Sequence, residues 1–580
     1  MNKTILDFIK KNKISYIIGI LFILLSSYIQ ALFPKVLGQI IDILKVDGFD
    51  SKLAGLKILL ILFIAIGTFL STYIWRNLVI GNGRILECYL RDILFSHLQK
   101  LSPEFYSKRK TGDLIAYSIN DVSAVRMTFG PAAAMAINGI VLCIASIYSM
   151  SKSINWKLTL IALLPIPFIV FIMLRIGKII HIRFRKIQEN FAAISDRIQE
   201  NIYGIRVIKT YVQEEAELEN FEILNYEMME SNLSMVKISS VLSPIIEVCF
   251  SISFVSSLII GGNMVINETI SLGSFIAFNT YLTMIMRPII SMGHIISIFQ
   301  RGTASLKRLN EILDVEPTIK DGLSLIMIPT MGEIEFRDLN FSYPGSENIA
   351  LKNITIKIPK GHTLGIVGKT ASGKSTLANL LLKLYNVESN TLFLNGIDIM
   401  NYSLETLREN LGYVPQDNFL FSASIKDNIT FFKNIYSEEE IKLAAKNSSI
   451  WKKIITLPKG FSTILGERGV NLSGGQKERI CIARSIIKNP NILILDDALS
   501  AVDSITEEKI MKNFKALRKG KTSIIISHKL STVIDADEII VLSYGEIVER
   551  GTHKELLEKR GEYYDVFQEQ FKDNHQGSIS

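Results

Sequence analysis

Between residues 368 and 375 the chain reads Gly368-Lys369-Thr370-Ala371-Ser372-Gly373-Lys374-Ser375. Glycines at both ends of such a stretch let the backbone curl until its N–H groups converge on one point. A lysine and a hydroxyl follow at once. This is the composition of a loop that cradles phosphate oxygens, with Lys374 reaching the β- and γ-phosphates and Ser375 free to ligate Mg2+. The preceding "HTLGIVG" runs as a buried strand into the loop, and a helix follows. That order puts the positive end of the helix dipole at the phosphates.

Two further stretches belong to the same chemistry. Ile492-Leu493-Ile494-Leu495-Asp496-Asp497 is a buried apolar strand ending in carboxylates, about 120 residues after the loop. Asp496 is placed to hold Mg2+ beside Ser375, directly or through water. Leu472-Ser473-Gly474-Gly475-Gln476 opens a helix. There Ser473 and the Gly474-Gly475 amides can bind an anion. Taken alone, Ser473 reads better as an ordinary helix cap, and the order of the motifs decides against that.

These residues sit in one of two unlike halves, divided near residue 330. Residues 331–575 show the mixed pattern of an α/β domain. "GEIEFRDLNFSYP" (332–344) and "LKNITIKI" (351–358) alternate apolar and polar residues as half-buried strands do. The first half is different. Apolar runs at about 15–41, 55–80, 131–150, 157–177, 238–265 and 272–298 each reach the roughly 20 residues that cross a bilayer as a helix. Six such runs exceed what one soluble core can bury. The first is too long for a cleavable signal peptide and lacks a small-residue cleavage site.

Composition agrees. Of 580 residues, 48% are hydrophobic and only 21% charged, which excludes disordered and collagen-like chains. The net charge of +8 fits basic loops at a membrane better than nucleic-acid binding. The four cysteines, Cys88, Cys143, Cys249 and Cys481, are too far apart in sequence to suggest a zinc site or a disulfide framework.

Lys3, Lys10, Lys11 and Lys13 precede the first run. Arg175, Lys178, Arg183, Arg185 and Lys186 follow the fourth, with no acid between them. The loop after the first run instead carries Asp42, Asp47 and Asp50. Both termini are therefore expected in the cytoplasm. The internal connections, 81–130 and 178–237, are long and rich in helix formers. About 25 helical residues on each side of a turn project roughly 37 Å. Spans 2 to 5 are thus expected to continue into the cytoplasm, turning near Lys110-Thr111-Gly112-Asp113 and near Tyr203-Gly204-Ile205.

At this point the sequence resembles the ATP-binding cassette (ABC) transporters, specifically half-transporters of the type IV exporter class. The resemblance covers essentially the whole chain. It rests on the phosphate loop, Gln416 in "YVPQDNFLF", "LSGGQ", "ILILDD", "SAVD" (500–503) and His528 in "IISHKLS", in that order. "GERG" (466–469) and "FYSKRKTGDLIAYSINDV" (105–122) match exporter loops. The resemblance implies a multidomain chain: an all-α six-helix transmembrane domain (1–310), a linker (311–331), an α/β P-loop NTPase cassette (332–575) and a polar tail (576–580). It also implies ATP and Mg2+ as cofactors and a lipid bilayer around the spans.

Roles carry over in the same way. Tyr343, otherwise a turn residue before Pro344, matches the aromatic that stacks on adenine. Thr376 joins residues 368–375 on the nucleotide. Gln416 would touch Mg2+ and the attacking water, and His528 the γ-phosphate. Asp503 would help link two sites. In the family two cassettes sandwich two ATP molecules, each held by one chain's phosphate loop and the other's Ser473–Gln476 signature. A second half-transporter is therefore the implied partner. Gly112 and Asp113 fall where the family couples its two domains. Glu247 and Arg287 are ionisable residues inside spans and so candidates for substrate contact. Pro244 and Pro288 are candidate kinks.

One departure matters. The family's usual residue after Asp496 is Glu, the base that activates water; here it is Asp497. Aspartate is one methylene shorter, so its carboxylate falls about 1 Å short, a misplacement that can cost roughly 10²-fold. Basicity hardly changes. This pattern resembles heterodimeric bacterial exporters with one weakened ATP site, although a homodimer using Asp497 as base is the alternative.

The expected function is ATP-driven export of a small molecule, whether drug, lipid or peptide, across a bacterial cytoplasmic membrane. Fusion of the two halves favours export over import. An ATP-gated channel or a regulatory membrane ATPase is the reading from another class, and no regulatory insertion supports it. The six spans exclude the soluble ABC proteins of DNA repair and translation. No N-terminal peptidase segment points to leader-processing peptide export.

Overall fold

The structure, a computed structural model, describes residues 3–45, 51–321, 332–466, 469 and 471–576. Residues 322–331 of the expected 311–331 linker, the loop 46–50, Glu467 and Arg468 of the "GERG" motif and the last residues of the polar tail lie outside these. The chain forms two compact units. One takes in residues up to Gln99 together with Thr111–Val315; the other takes in Lys100–Lys110 and everything from Glu316 on.

The first unit is all helix. Among the described residues six segments are long and apolar enough to cross a membrane: Lys13–Lys45, Ser51–Leu98, Thr111–Lys152, Trp156–Tyr203, Glu214–Ile266 and Leu272–Leu313. The six apolar runs all lie inside them. Spans 2 to 5 extend well beyond the apolar stretch, as the helix-forming internal connections predict. The second turn begins at Gly204, as expected, whereas the first is displaced. The first lies upstream, over Gln99–Lys110, and carries a short helix, Pro103–Ser107. Pro103 sits at the start of that helix, where its missing N–H costs nothing. Gly112 and Asp113 instead open the third span. In the second turn a short helix, Ile205–Tyr211, separates Gly204 from a left-handed Val212. Pro244 and Pro288 lie within otherwise continuous helices.

Packing in this unit depends on small residues. A Cβ on Gly273 would lie 1.9 Å from the Gly38 carbonyl oxygen, so spans 1 and 6 meet backbone to backbone. Beside this contact Asp42 accepts from the Gly273 N–H at 2.7 Å and from the Ser271 hydroxyl at 2.6 Å. Gly83 and Gly130 let spans 2 and 3 approach as well, less tightly: a Cβ on Gly83 would lie 3.3 Å from the Gly130 Cα. Both glycines adjoin wider π-helical turns, Arg76–Ile80 and Thr128–Ala132. A third such turn, Tyr117–Asp121, presents Asp121 to Arg308 (2.9 Å to Nε) and to the Ser305 hydroxyl (2.7 Å). Spans 4 and 5 pack chiefly on one another.

The second unit is a layered α/β domain. Strands β1 (Ile334–Ser342), β2 (Ile349–Ile358), β4 (Leu392–Leu394) and β5 (Ile397–Asp398) form an antiparallel sheet in the order β2-β1-β4-β5. The larger sheet runs β10-β9-β3-β8-β7-β6. Its strands are β3 (Thr363–Gly368), β6 (Leu411–Val414), β7 (Ile492–Asp496), β8 (Thr522–Ile526), β9 (Glu538–Ser543) and β10 (Glu546–Gly551). All are parallel except β10, which pairs antiparallel with β9. Central strands β7 and β8 are buried at every position, as a sheet covered on both faces requires. Alternate residues feed two cores. Ile492 and Ile494 face the small sheet and the helix Lys374–Leu381, while Leu493 and Leu495 face the helical layer with Ile480 and Ile510.

Candidate nucleotide-binding site

Parallel strands deliver their carboxyl ends to one edge, and every site residue read from the cassette motifs except Tyr343 and the signature follows from that edge. β3 ends in Gly368. Next to it β8 ends two residues before His528. Then β7 ends in Asp496, and β6 ends two residues before Gln416.

The phosphate loop curls as the glycine pattern demands. Gly373 has φ +101°, a left-handed value, and a Cβ on it would lie 2.9 Å from the Ala350 carbonyl oxygen. Ala371, with φ +64°, also lies in the left-handed region. Lys374 is buried at the start of the following helix. Its Nζ donates to the carbonyls of Gly368 (2.8 Å) and Lys369 (2.7 Å). Burial pulls its pKa down, with Asp497 and Asp496 pulling it back up. Among the described residues it forms no ion pair. A buried ammonium held by neutral carbonyls, in a loop of convergent amides, fits a phosphate as its missing counter-ion.

Ser375 Oγ donates to Asp496 Oδ1 at 3.0 Å, and the Tyr413 hydroxyl to Asp496 Oδ2 at 3.3 Å. Burial raises the Asp496 pKa, and the two hydroxyls oppose the shift. A hydroxyl and a carboxylate oxygen side by side are the hard donors that Mg2+ takes, so these residues fit that ion too. Tyr413 was not legible from its sequence position, because only the β6–β7 pairing brings it to Asp496.

Asp497 has φ +48°. Its N–H donates to the Ile526 carbonyl at 2.8 Å, fixing the turn after β7 to β8. The Tyr343 hydroxyl lies 3.0 Å from Thr376 Oγ1, and its ring packs edge-on against Phe341 and Tyr385. The structure thus brings Tyr343 to the phosphate-loop helix. Gln416 and His528 are exposed on the same edge. The Gln570 side chain grips the loop after β8: its Nε2 donates to the His528 carbonyl at 2.6 Å, and its Oε1 accepts from the Leu530 N–H at 3.0 Å.

Ser473 and Gln476 form a reciprocal cap on the helix Gly474–Ile487, with the Ser473 N–H donating to Gln476 Oε1 at 3.3 Å. Among the described residues no hydrogen bond joins 473–476 to the phosphate loop. Asp503 caps the helix Ser504–Leu517 through the Thr506 N–H at 2.9 Å. In the helical unit Glu247 and Arg287 are both exposed, and Glu247 meets the Ser243 hydroxyl at 3.4 Å. They form no ion pair with each other among the described residues.

Similarity to known proteins follows the same division. Residues 16–289 match the ABC transporter transmembrane region, and residues 351–500 match the ABC transporter domain. The chain is 37% identical over 97% of its length to a Bacillus subtilis strain 168 protein titled "Probable multidrug resistance ABC transporter ATP-binding/permease protein YheI", covering 96% of that protein. It is 34% identical to the multidrug resistance-like ATP-binding protein MdlA of Escherichia coli strain K12, over 96% of this chain and 94% of that one. It is also 34% identical to the ATP-dependent lipid A-core flippase of Haemophilus influenzae, over 90% of each chain. A solved bacterial Atm1-family ABC exporter with ATP bound has the same fold, with a TM-score of 0.77 over 96% of this chain and 99% of that one, at 24% identity.

Proposed function

The chain belongs to the ABC transporters and is an ATP-hydrolysing exporter subunit, and from that premise we propose that it works as one half of a heterodimer in a bacterial cytoplasmic membrane, with Asp497 slowing the ATP site built on this chain. The observation that carries the reading is the carboxyl edge of the larger sheet. There Lys374 and Ser375 follow β3 and Asp496 and Asp497 follow β7, parallel strands with only β8 between them, with aspartate where the family has its glutamate base.

Each residue has a task. The loop amides and Lys374 bind and neutralise phosphate. Ser375 and Asp496 would hold Mg2+, which when bound supplies charge neutralisation at phosphoryl oxygens. Asp497 is the group on this chain that takes a proton from water, at a carboxylate drawn back by one methylene. Gln416 and His528, on the same edge, orient that water and the terminal phosphate. Tyr343 supports the adenine. Ser473–Gln476, an intact signature, serves the partner's site.

The substrate is a small molecule of the drug, lipid or peptide kind. Glu247 and Arg287 are exposed within hydrophobic spans. Ionised groups there are costly against lipid tails, so they face the path or the partner. Gly112 and Asp113, at the head of span 3, lie directly after the 100–110 segment that packs with the cassette unit, and they relay its movement into the span.

Lys374→Ala is expected to abolish ATP turnover by the purified transporter and to weaken nucleotide binding. Unchanged turnover would make this site dispensable. Native mass spectrometry of the tagged chain, purified from its own host, is expected to show it paired one-to-one with a second ABC subunit. Two copies of this chain would replace the heterodimer with a homodimer that uses Asp497 as base.

A further inference from the structure

A buried carboxylate and a partly exposed ammonium that no motif names grip the turn between Asp497 and Asp503. Glu478 lies one turn into the signature helix and is 3% exposed. Its Oε1 accepts from the Ser500 hydroxyl at 3.0 Å, and both its oxygens accept from the Ala501 N–H at 3.1 Å. From another element Lys529 Nζ donates to the carbonyls of Leu499 (3.2 Å) and Val502 (3.4 Å). Lys529 is anchored in turn by Glu507, itself buried, at 3.1 Å. The Ser531 hydroxyl completes the anchor with a 2.6 Å bond to Glu507.

The signature glycines complete the grip. A Cβ on Gly475 would lie 2.6 Å from the Ala501 carbonyl oxygen, and one on Gly474 would lie 3.2 Å from the Ala501 Cβ. The turn is therefore pressed against bare signature backbone on one side and held by the loop after His528 on the other. Burying a carboxylate is costly unless it is fully partnered. Glu478 is partnered by Ser500 and Ala501 of the turn, and Lys529 reaches two carbonyls of the same turn, so what the two side chains fix is its position.

We propose that Glu478 and Lys529 are positioning residues that couple the two ATP sites of the dimer. Lys529 adjoins His528, which serves this chain's own site; Glu478 adjoins Ser473–Gln476, which serves the partner's. The turn 497–503 starts at this chain's base and is clamped to both. A shift at Asp497 or His528 on one site therefore moves the signature helix that completes the other. This inference rests on the two-chain reading above.

The test uses the purified full-length complex in lipid nanodiscs. Glu478→Ala and Lys529→Ala are each expected to lower maximal turnover about tenfold or more, because this chain's signature, which serves the partner's site, loses its register. Apparent KM for ATP and binding of a fluorescent ATP analogue should stay within about twofold, since the phosphate loop is untouched. Glu478→Gln keeps an acceptor for Ala501 and should recover most of the lost turnover, and Lys529→Arg should do the same. The Ala/Ala double variant should be no worse than the worse single one, because both act through one turn. Full activity in the Ala variants, an additive double loss, or loss of binding and melting temperature together without recovery by Gln would overturn the proposal. Native mass spectrometry on the same samples separates this from failure of the two-chain reading, which would show as a missing second subunit in the wild type.

Discussion

At the residue scale the decisive position is 497. Its left-handed backbone is one that aspartate adopts more readily than most side chains, because its short carboxylate can bond locally. The local conformation therefore suits aspartate, and the proposed weakening of the site comes from its shorter reach. If the site is weakened, Asp497→Asn should remove little of the dimer's steady-state ATP hydrolysis. Replacing the partner's glutamate should remove most of it, since a positioned general base is commonly worth about 10²–10⁴-fold. Ser473→Ala should be harsher than Asp497→Asn, because Ser473 faces the partner's working site. Asp497→Glu should gain activity if reach is the only defect. Equal, complete loss from Asp497→Asn and from the partner variant would mean two equivalent sites. The groups named by sequence alone, Lys374, Ser375 and Asp496, were legible because each sits in a short contiguous pattern with one mechanical purpose. Tyr413, Glu478, Lys529 and Gln570 were not. Their partners are distant in sequence, and the only sequence hint was Glu478, an acid on the buried face of an amphipathic helix.

At the scale of elements, the six spans could be read from hydropathy alone because a bilayer sets their length. The short helices in the two internal turns could not. Pro103–Ser107 and Ile205–Tyr211 are too short to show a period, and the first packs within the cassette unit through the Ser102–Thr318 bond at 3.0 Å. The C-terminal helix Glu562–Gln576 was likewise unforeseen as part of the site. It docks through His553, whose Nδ1 lies 2.7 Å from the Tyr563 hydroxyl and whose ring meets Tyr563 and Phe567. Burial holds the His553 pKa below its usual value. A depressed pKa contributes stability that is present above the unfolded value, about 6.5, and lost as pH falls through the folded one. Amide exchange over residues 562–570, corrected for intrinsic rates, should therefore speed up between about pH 7.5 and about pH 5.5. His553→Gln should flatten that dependence. An unchanged wild-type profile would show that this imidazole does not govern the docking.

At the scale of the whole molecule, orientation is the property most exposed to test. Cys88, Cys143, Cys249 and Cys481 are all free thiols, and Cys88 is exposed, so a labelling scan starts from a chain with these replaced. Cysteines placed at 51–52 and 265–270 should react with an impermeant reagent from outside, and those at 108–113 only from inside. Outside labelling at Lys110→Cys would overturn the arrangement with both termini in the cytoplasm. The contact between Gly38 and Gly273 sets how such a molecule can move. With no side chain between the two backbones and Asp42 latched across them, spans 1 and 6 have no slack at that end. A movement of either at that end therefore carries the other with it. Span 1 is also packed on span 2 and span 6 on span 3, so the tie reaches four of the six spans, while spans 4 and 5 chiefly hold each other.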